Sequence, residues 1–357
     1  MYTRTQTKAV KIGNISIGNQ NKVIIQSMTN TKTCDIEATI NQINQLEKAG
    51  CQIARLAILD KNDALAIKEI KAKTNIPLVA DIHFNYQFAL ICIENGIDKV
   101  RINPSNIGNE EHIKMVVDAC KEKNIPIRIG INGGSLEKDL IKKYGKATPE
   151  AMIESADRNI KLLEKLGFDQ IVLSFKSSDV VNVIQVYQLA AQKYPYPLHL
   201  GVTEAGSFFA SSVRSSCALG SLMYHGIGDT IRISVSANPV EEIKICKELL
   251  NSLHLYDNYP HLVSCPTCGR IQYAMLDILP AIEDYLSHIQ CDIKVAIMGC
   301  PVNGPGEAKD ADIGIAGGKD HGILFKHGEI IRTIPTDQIV EELIKEIDIL
   351  VKERHLQ

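Results

Sequence analysis

The chain of 357 residues has a formal net charge of -3 and is 45% hydrophobic, enough for one large domain of about 250 residues and a smaller one. No long Lys/Arg block suggests nucleic acid as a partner, and no apolar run approaches the roughly 18 residues that cross a bilayer. Ten cysteines follow a polar, basic stretch from Met1 to Lys11 that lacks the apolar core of an export signal, so they are expected as thiols in a reducing cytoplasm.

From Lys22 onward short apolar runs alternate with amphipathic segments. Strands are expected at Val23–Met28, Ile53–Ile58, Leu78–Ile82, Lys99–Asn103, Ile127–Ile131, Gln170–Phe175, His199–Val202 and Thr230–Val235. Helices are expected between them, including Ile36–Ala49, Asp60–Lys73, Asn109–Lys123, Thr148–Leu166, Asp179–Lys193 and, last, Val240–Leu250. Many begin after Asp, Asn or Thr caps, and Gly50, Gly96 and Gly167 mark stops. Eight apolar strands with crossover helices argue for an α/β fold closed as a (β/α)8 TIM barrel over residues 1–250. An open doubly wound sheet is the alternative, disfavoured because no Gly-x-Gly-x-x-Gly follows the first strand.

Residues 251–264 read as a linker, broken by Tyr259-Pro260, and residues 265–357 as a small α+β domain. Its expected elements are a helix from Arg270 to about His288, a strand at Ile293–Met298, and three short strands at Asp312–Ala316, Gly322–Lys326 and Ile330–Ile334. A closing helix spans Asp337–Lys352.

Cysteines punctuate this small domain: Cys265-Pro266-Thr267-Cys268 opens it, and Cys300 opens the loop Cys300-Pro301-Val302-Asn303-Gly304-Pro305-Gly306-Glu307. The Cys-x-x-Cys pair alone fits a zinc knuckle, a redox dithiol or a cluster edge. A third cysteine, in a Pro/Gly loop that can bend round a bulky group, favours an iron-sulfur cluster with one iron left open, since structural zinc usually takes four protein ligands. Glu307 lies within loop reach. Cys34, Cys51, Cys92, Cys120, Cys217, Cys246 and Cys291 show no ligand spacing, and most are expected as small buried hydrophobes.

In a TIM barrel the C-terminal rim of the strands carries the active site. Placed there are Arg55, Asp81, His83, Arg101, Asn103, Arg128, Asn132, Lys176, Thr203, Glu204, Arg232 and Ser234. Four arginines interrupt apolar runs, where an unpaired buried charge costs several kcal/mol, so an anion is expected to meet them. With Lys176 they suit a substrate carrying more than one phosphoryl group. Asp81 and Glu204 are the only acids placed on this rim. Asp81 shares a face with His83 and is expected to orient its imidazole. Two rivals remain: a redox-neutral phosphosugar lyase or transferase with a zinc knuckle, and a non-enzymatic iron-sulfur sensor or nucleic-acid binder.

The strings Gln26-Ser27-Met28-Thr29-Asn30, Ala80-Asp81-Ile82-His83-Phe84, Arg101-Ile102-Asn103-Pro104 and Gly201-Val202-Thr203-Glu204-Ala205-Gly206 resemble those of the bacterial 4-hydroxy-3-methylbut-2-enyl diphosphate synthases. So do Ser264-Cys265-Pro266-Thr267-Cys268-Gly269-Arg270 and the loop from Cys300 to Glu307, and the resemblance spans essentially the whole chain. It implies a [4Fe-4S] cluster on Cys265, Cys268 and Cys300, with Glu307 as a displaceable fourth ligand. It also implies reductive opening of 2-C-methyl-D-erythritol 2,4-cyclodiphosphate in the non-mevalonate isoprenoid pathway. Glu204 would give the proton for water loss with His83 as helper, and flavodoxin or ferredoxin would supply the electrons. The last barrel helix should end opposite the rim, and residues 251–264 span at most roughly 46 Å at about 3.3 Å per residue. A homodimer with the site built in trans is therefore expected, as the resemblance also implies.

Overall fold

The computed structural model describes residues 7–266, 268–300 and 308–355. The chain divides between Leu255 and Tyr256 into two compact units.

The first unit opens with a hairpin, β1 (Val10–Ile12) and β2 (Ile15–Ile17), that the sequence reading missed. Gly13, at φ +56°, takes the left-handed first position of its two-residue turn. Eight parallel strands follow: β3 (Ile24–Met28), β4 (Ile53–Ile58), β5 (Leu78–Ile82), β6 (Lys99–Ile102), β7 (Ile127–Asn132), β8 (Ile171–Lys176), β9 (His199–Leu200) and β10 (Thr230–Ile231). They pair in chain order from β3 to β8, and β10 lies between β9 and β3. Closure comes from the Leu173–Leu198 bridge, with Leu173 N–H donating to the Pro197 carbonyl at 2.9 Å. The expected (β/α)8 barrel is present, although β9 and β10 are shorter than read and Ser234 lies past its strand.

Caps fix the helices. Asp60 accepts from the N–H groups of Asn62 and Asp63, Asp179 from that of Asn182, and Thr148 from that of Ala151 just before Pro149. Gly50, at φ +105°, ends the helix Ile36–Ala49.

Strand alternation decides what fills the barrel. At the N-terminal end Ile24, Ile53, Val79 and Val172 point inward and pack on Val10, Ile12 and Ile17, so the hairpin plugs that mouth with apolar side chains. Burying each such side chain contributes roughly 1.5–3 kcal/mol. Two residues further along each strand the same face carries Gln26, Arg55, Asp81, Arg101, Arg128 and Ser174, all buried. A barrel interior normally holds branched apolar layers. Here its upper half is polar.

The second unit is a five-stranded sheet in the order β11 (His261–Ser264), β12 (Lys294–Met298), β13 (Ile313–Gly318), β14 (His321–Lys326) and β15 (Glu329–Pro335). β11 pairs parallel with β12 inside the stretch 251–264 read as a linker, which is thereby corrected: the helix Pro239–Ser252 and β11 leave only residues 253–260 between them. Val295, Ile297, Ile313 and Ile315 face the helices Met275–Ser287 and Ile339–His355, while Ala296, Met298, Ala316 and Phe325 form a second apolar layer on the other face. The first of these helices starts five residues later than expected. Residues 270–274 are diverted instead to the Cys300 side of the sheet, where Gln272 N–H donates to the Gly299 carbonyl at 3.0 Å.

Candidate active site

Parallel pairing sets Asp81 of β5 beside Arg101 of β6, while Arg55 of β4 pairs with Val79, two residues before Asp81 on the same face. The Asp81 carboxylate sits 3.0 Å from Arg101 Nη1 and 3.6 Å from Arg55 Nε. Burial works to raise Asp81, but Arg55, Arg101 and Arg128 outweigh it and hold its carboxyl well below the usual range. Arg101 donates from Nη2 to Asn132 Oδ1 at 3.0 Å, and its Nη1 lies 3.2 Å from His83 Nε2. A guanidinium has only donors, so His83 Nε2 is unprotonated and accepts. The imidazole is thus seated by Arg101, a correction to the expectation that Asp81 orients it directly. Burial, with Arg101 and Lys176 adding to it, lowers His83 despite Asp81. Gly130 in β7 makes the crossing possible, because a Cβ there would lie 2.5 Å from Arg101 Nε.

On the far side Arg232 has a partner that the sequence reading did not place. Glu242, in the first turn of the helix Pro239–Ser252, takes a two-pronged bond from Arg232 Nε (3.0 Å) and Nη2 (2.9 Å), and accepts from Ser27 Oγ at 2.7 Å. Nothing in the local sequence distinguishes this acid from an ordinary helix N-terminal Glu.

Arg128 is different. Its side chain is 1% exposed, and its Nε and Nη1 have no hydrogen-bond partner among the described residues. The Nζ of Lys99 and both amide atoms of Gln26 share that condition. Burial drives Arg128 and Lys99 well below their ordinary values, helped by Arg55 and Arg101 for Arg128 and by Arg128 and Arg55 for Lys99. Lys99, two residues before Arg101 on the same face of β6, escaped sequence reasoning. The spacing was visible, but it sits too deep to be taken for a rim residue.

Above these groups lies a cavity of about 200 Å³. Arg55, Arg128, Lys176, Thr203, Glu204, Arg232 and Ser234 line it, with Tyr187 and His199 adding unexpected wall. His199 Nδ1 lies 2.7 Å from Thr230 Oγ1, and burial followed by Arg128 and Lys99 drives it well below its usual value. Lys176 ends β8, half-buried, and burial with Arg101 and Arg55 pushes it down to about 7. Glu204 is exposed at φ +56°, a left-handed conformation uncommon for a non-glycine residue. Asn103 is buried just past the end of β6. Four guanidinium groups face two buried carboxylates, which leaves two positive charges over before either lysine is counted.

In the second unit Cys265 directly follows β11, with its N–H on the Ile297 carbonyl at 3.1 Å, and Cys300 lies two residues past β12. Because β11 and β12 are parallel neighbours, both cysteines leave the same end of the sheet. Ile271 N–H donates to the Cys268 carbonyl at 3.2 Å, turning the Cys-x-x-Cys loop back toward Gly299. All three thiols are free, Cys300 buried, Cys265 half-buried and Cys268 exposed. Among the described residues no three His, Cys, Asp or Glu side chains converge on a single ion. Glu307 lies outside the described residues, as do Thr267 and Pro301–Gly306. Of the seven other cysteines five are buried, and Cys34 and Cys217 are exposed. No helix among the described residues is long and apolar enough to cross a membrane.

Known proteins resemble this chain along its whole length. It is 54% identical over 357 residues to the 4-hydroxy-3-methylbut-2-en-1-yl diphosphate synthase (flavodoxin) of Exiguobacterium sibiricum, covering 100% of this chain and 97% of that one. The proteins of the same name from Shouchella clausii (55% identity, 99% and 96% covered) and Geobacillus thermodenitrificans (54%, 98% and 94%) match equally well. The GcpE TIM-barrel domain matches residues 7–247 and the GcpE protein C-terminal domain residues 261–349, and on these matches the chain belongs to the GcpE family.

Proposed function

We propose that this enzyme opens 2-C-methyl-D-erythritol 2,4-cyclodiphosphate reductively to 4-hydroxy-3-methylbut-2-enyl diphosphate, in the non-mevalonate isoprenoid pathway. Two electrons and two protons enter, a ring carbon–oxygen bond breaks, and one hydroxyl leaves as water. The observation that carries the reading is the charge left over in the barrel cavity. A compact diphosphate is the partner that the unpaired Arg128 guanidinium lacks, and Arg55 and Lys176 reach the same space. Arg101 and Asn132 hold the wall, and Arg232, already paired with Glu242, lines the same cavity. Asp81, Asn103, Thr203 and Ser234 complete the set. Charged on one side by bound phosphate, Lys176 takes up a proton near neutral pH. Glu204, at the mouth, is our donor to the departing hydroxyl. His83 is neutral with Nε2 committed to Arg101, so its free position is Nδ1.

Three thiols at one end of two parallel strands, one short of the four ligands structural zinc usually takes, fit a bulky cluster better than a zinc site. Cys265, Cys268 and Cys300 would hold a [4Fe-4S] cluster, with Glu307 as fourth ligand. When bound, it supplies the two electrons one at a time. Flavodoxin, which the relatives carry in their names, is the proposed donor, and a cytoplasmic reaction is part of the same proposal.

We further propose that the site is built in trans in a homodimer. The 14-residue helix Pro239–Ser252, about 21 Å long, runs down the barrel and ends opposite the rim. Residues 253–260 reach at most roughly 26 Å at about 3.3 Å per residue. Returning to its own rim would consume nearly all of that, whereas a head-to-tail C2 pair lets each small domain cap its partner's barrel. Mixing inactive Arg128→Met chains with inactive Cys300→Ala chains should restore part of the activity. No recovery after demonstrated subunit exchange would mean that each cluster serves its own barrel.

A further inference from the structure

Tyr273 lies in the segment that links Cys268 to the helix Met275–Ser287. Its ring is pressed against Gly317 of β13, where a Cβ would fall 2.0 Å from Tyr273 Cδ1, 2.3 Å from Cε1 and 2.9 Å from the Gly299 carbonyl oxygen. Only glycine lets the ring sit there, and the contact pins it between β13 and the residue before Cys300. Tyr273 is 9% exposed, and its hydroxyl is buried without a hydrogen-bond partner among the described residues. A buried phenol normally finds one. Apart from the cost of burial, Cys265 is the one group among the described residues that acts on this hydroxyl. An orphaned donor thus stands near Cys265, inside the unit that carries the three cysteines.

We propose that the Tyr273 hydroxyl donates a hydrogen bond to a sulfur of the bound cluster, either a sulfide or Cys265 Sγ, and thereby sets its reduction potential. The inference rests on the reading that Cys265, Cys268 and Cys300 hold an iron-sulfur cluster. Reduction adds negative charge to the sulfurs, and a donor stabilises that state and raises the potential. Tyr273 is a positioning residue here and is not asked to touch substrate.

The test uses anaerobically reconstituted full-length protein. Tyr273→Phe keeps the ring against Gly317, so iron and sulfide content should be unchanged. Its reduction equilibrium should shift about tenfold toward the oxidised form, or about 59 mV for a one-electron couple. The reduced cluster should also lose one proton coupling that exchanges in deuterium oxide. A fluorotyrosine at position 273, with the same ring and a stronger donor, should move the potential upward. That variant also covers the case in which Tyr273→Phe loses its cluster. An unaltered potential and proton coupling in the Phe variant, or an unaltered potential in the fluorotyrosine protein, overturns the proposal. If the unmodified protein takes up no iron and sulfide at all, it is the cluster reading that has failed, and the proposal falls with it.

Discussion

Replacing Arg128 by Met separates binding from folding. The guanidinium is buried, and among the described residues two of its nitrogens lack partners and no carboxylate forms an ion pair with it. Burying an ion costs several kcal/mol, which the more distant Asp81 recovers only in part against repulsion from Arg55 and Arg101. Methionine has similar reach and no charge, so the ligand-free variant should melt at the same temperature or higher. Binding of the cyclic diphosphate should weaken by about 1.5–3 kcal/mol, the worth of a charge-assisted hydrogen bond, or roughly 10- to 150-fold. Arg232→Ala should behave in the opposite way. It strands Glu242, 3% exposed, with Ser27 as its remaining partner, and breaking a buried pair costs about 3–5 kcal/mol. At about 2–4 °C per kcal/mol for a domain of this size, the melting temperature should fall by roughly 6–20 °C. Calorimetric unfolding and ligand titration of both variants give all four numbers. An Arg128→Met protein that melts lower than the parent yet binds ligand normally would refute the charge balance from which the function is argued.

Lys176 makes binding depend on pH. Its free-state value of about 7 means that it is charged below that pH and must take up a proton to meet phosphate above it. Affinity should therefore fall with rising pH above about 7, by up to tenfold per unit, with proton uptake seen in buffers of different ionisation heat, and Lys176→Met should flatten the profile. The depressed value also implies that stability of the ligand-free fold rises between pH 7 and Lys176's ordinary 10.5, where the unfolded chain holds the extra proton. Glu204→Gln should bind substrate normally while turnover collapses; an unchanged kcat would remove it as proton donor. Alanine at Cys265, Cys268 or Cys300 should abolish the cluster, whereas Glu307→Ala should keep part of it with altered spectra and little activity. Full iron and sulfide in the Cys300→Ala protein would break the ligand assignment.

The barrel was legible because its strands are short runs dominated by Ile, Val and Leu and its long helices carry side-chain caps, as at Asp60 and Thr148. Arginines inside those runs were equally legible. Their partners were not: Glu242 reaches Arg232 from a helix ten residues on, and only the closed barrel brings it beside Ser27. Lys99 shows the converse, since strand alternation puts it inside but gives no sign of depth. The hairpin Val10–Ile17 was hidden by its brevity and by the basic residues around it. β11 was missed because His261–Ser264 is a four-residue strand that becomes one only by pairing with β12.

The central claim is most directly tested by anaerobic assay of the purified protein with reduced flavodoxin and 2-C-methyl-D-erythritol 2,4-cyclodiphosphate, following product by phosphorus NMR. The account predicts a brown protein with iron and sulfide in equal amounts that forms 4-hydroxy-3-methylbut-2-enyl diphosphate as two electrons are consumed per substrate. Conversion that proceeds without a reductant, or in protein stripped of iron and sulfide, would contradict it.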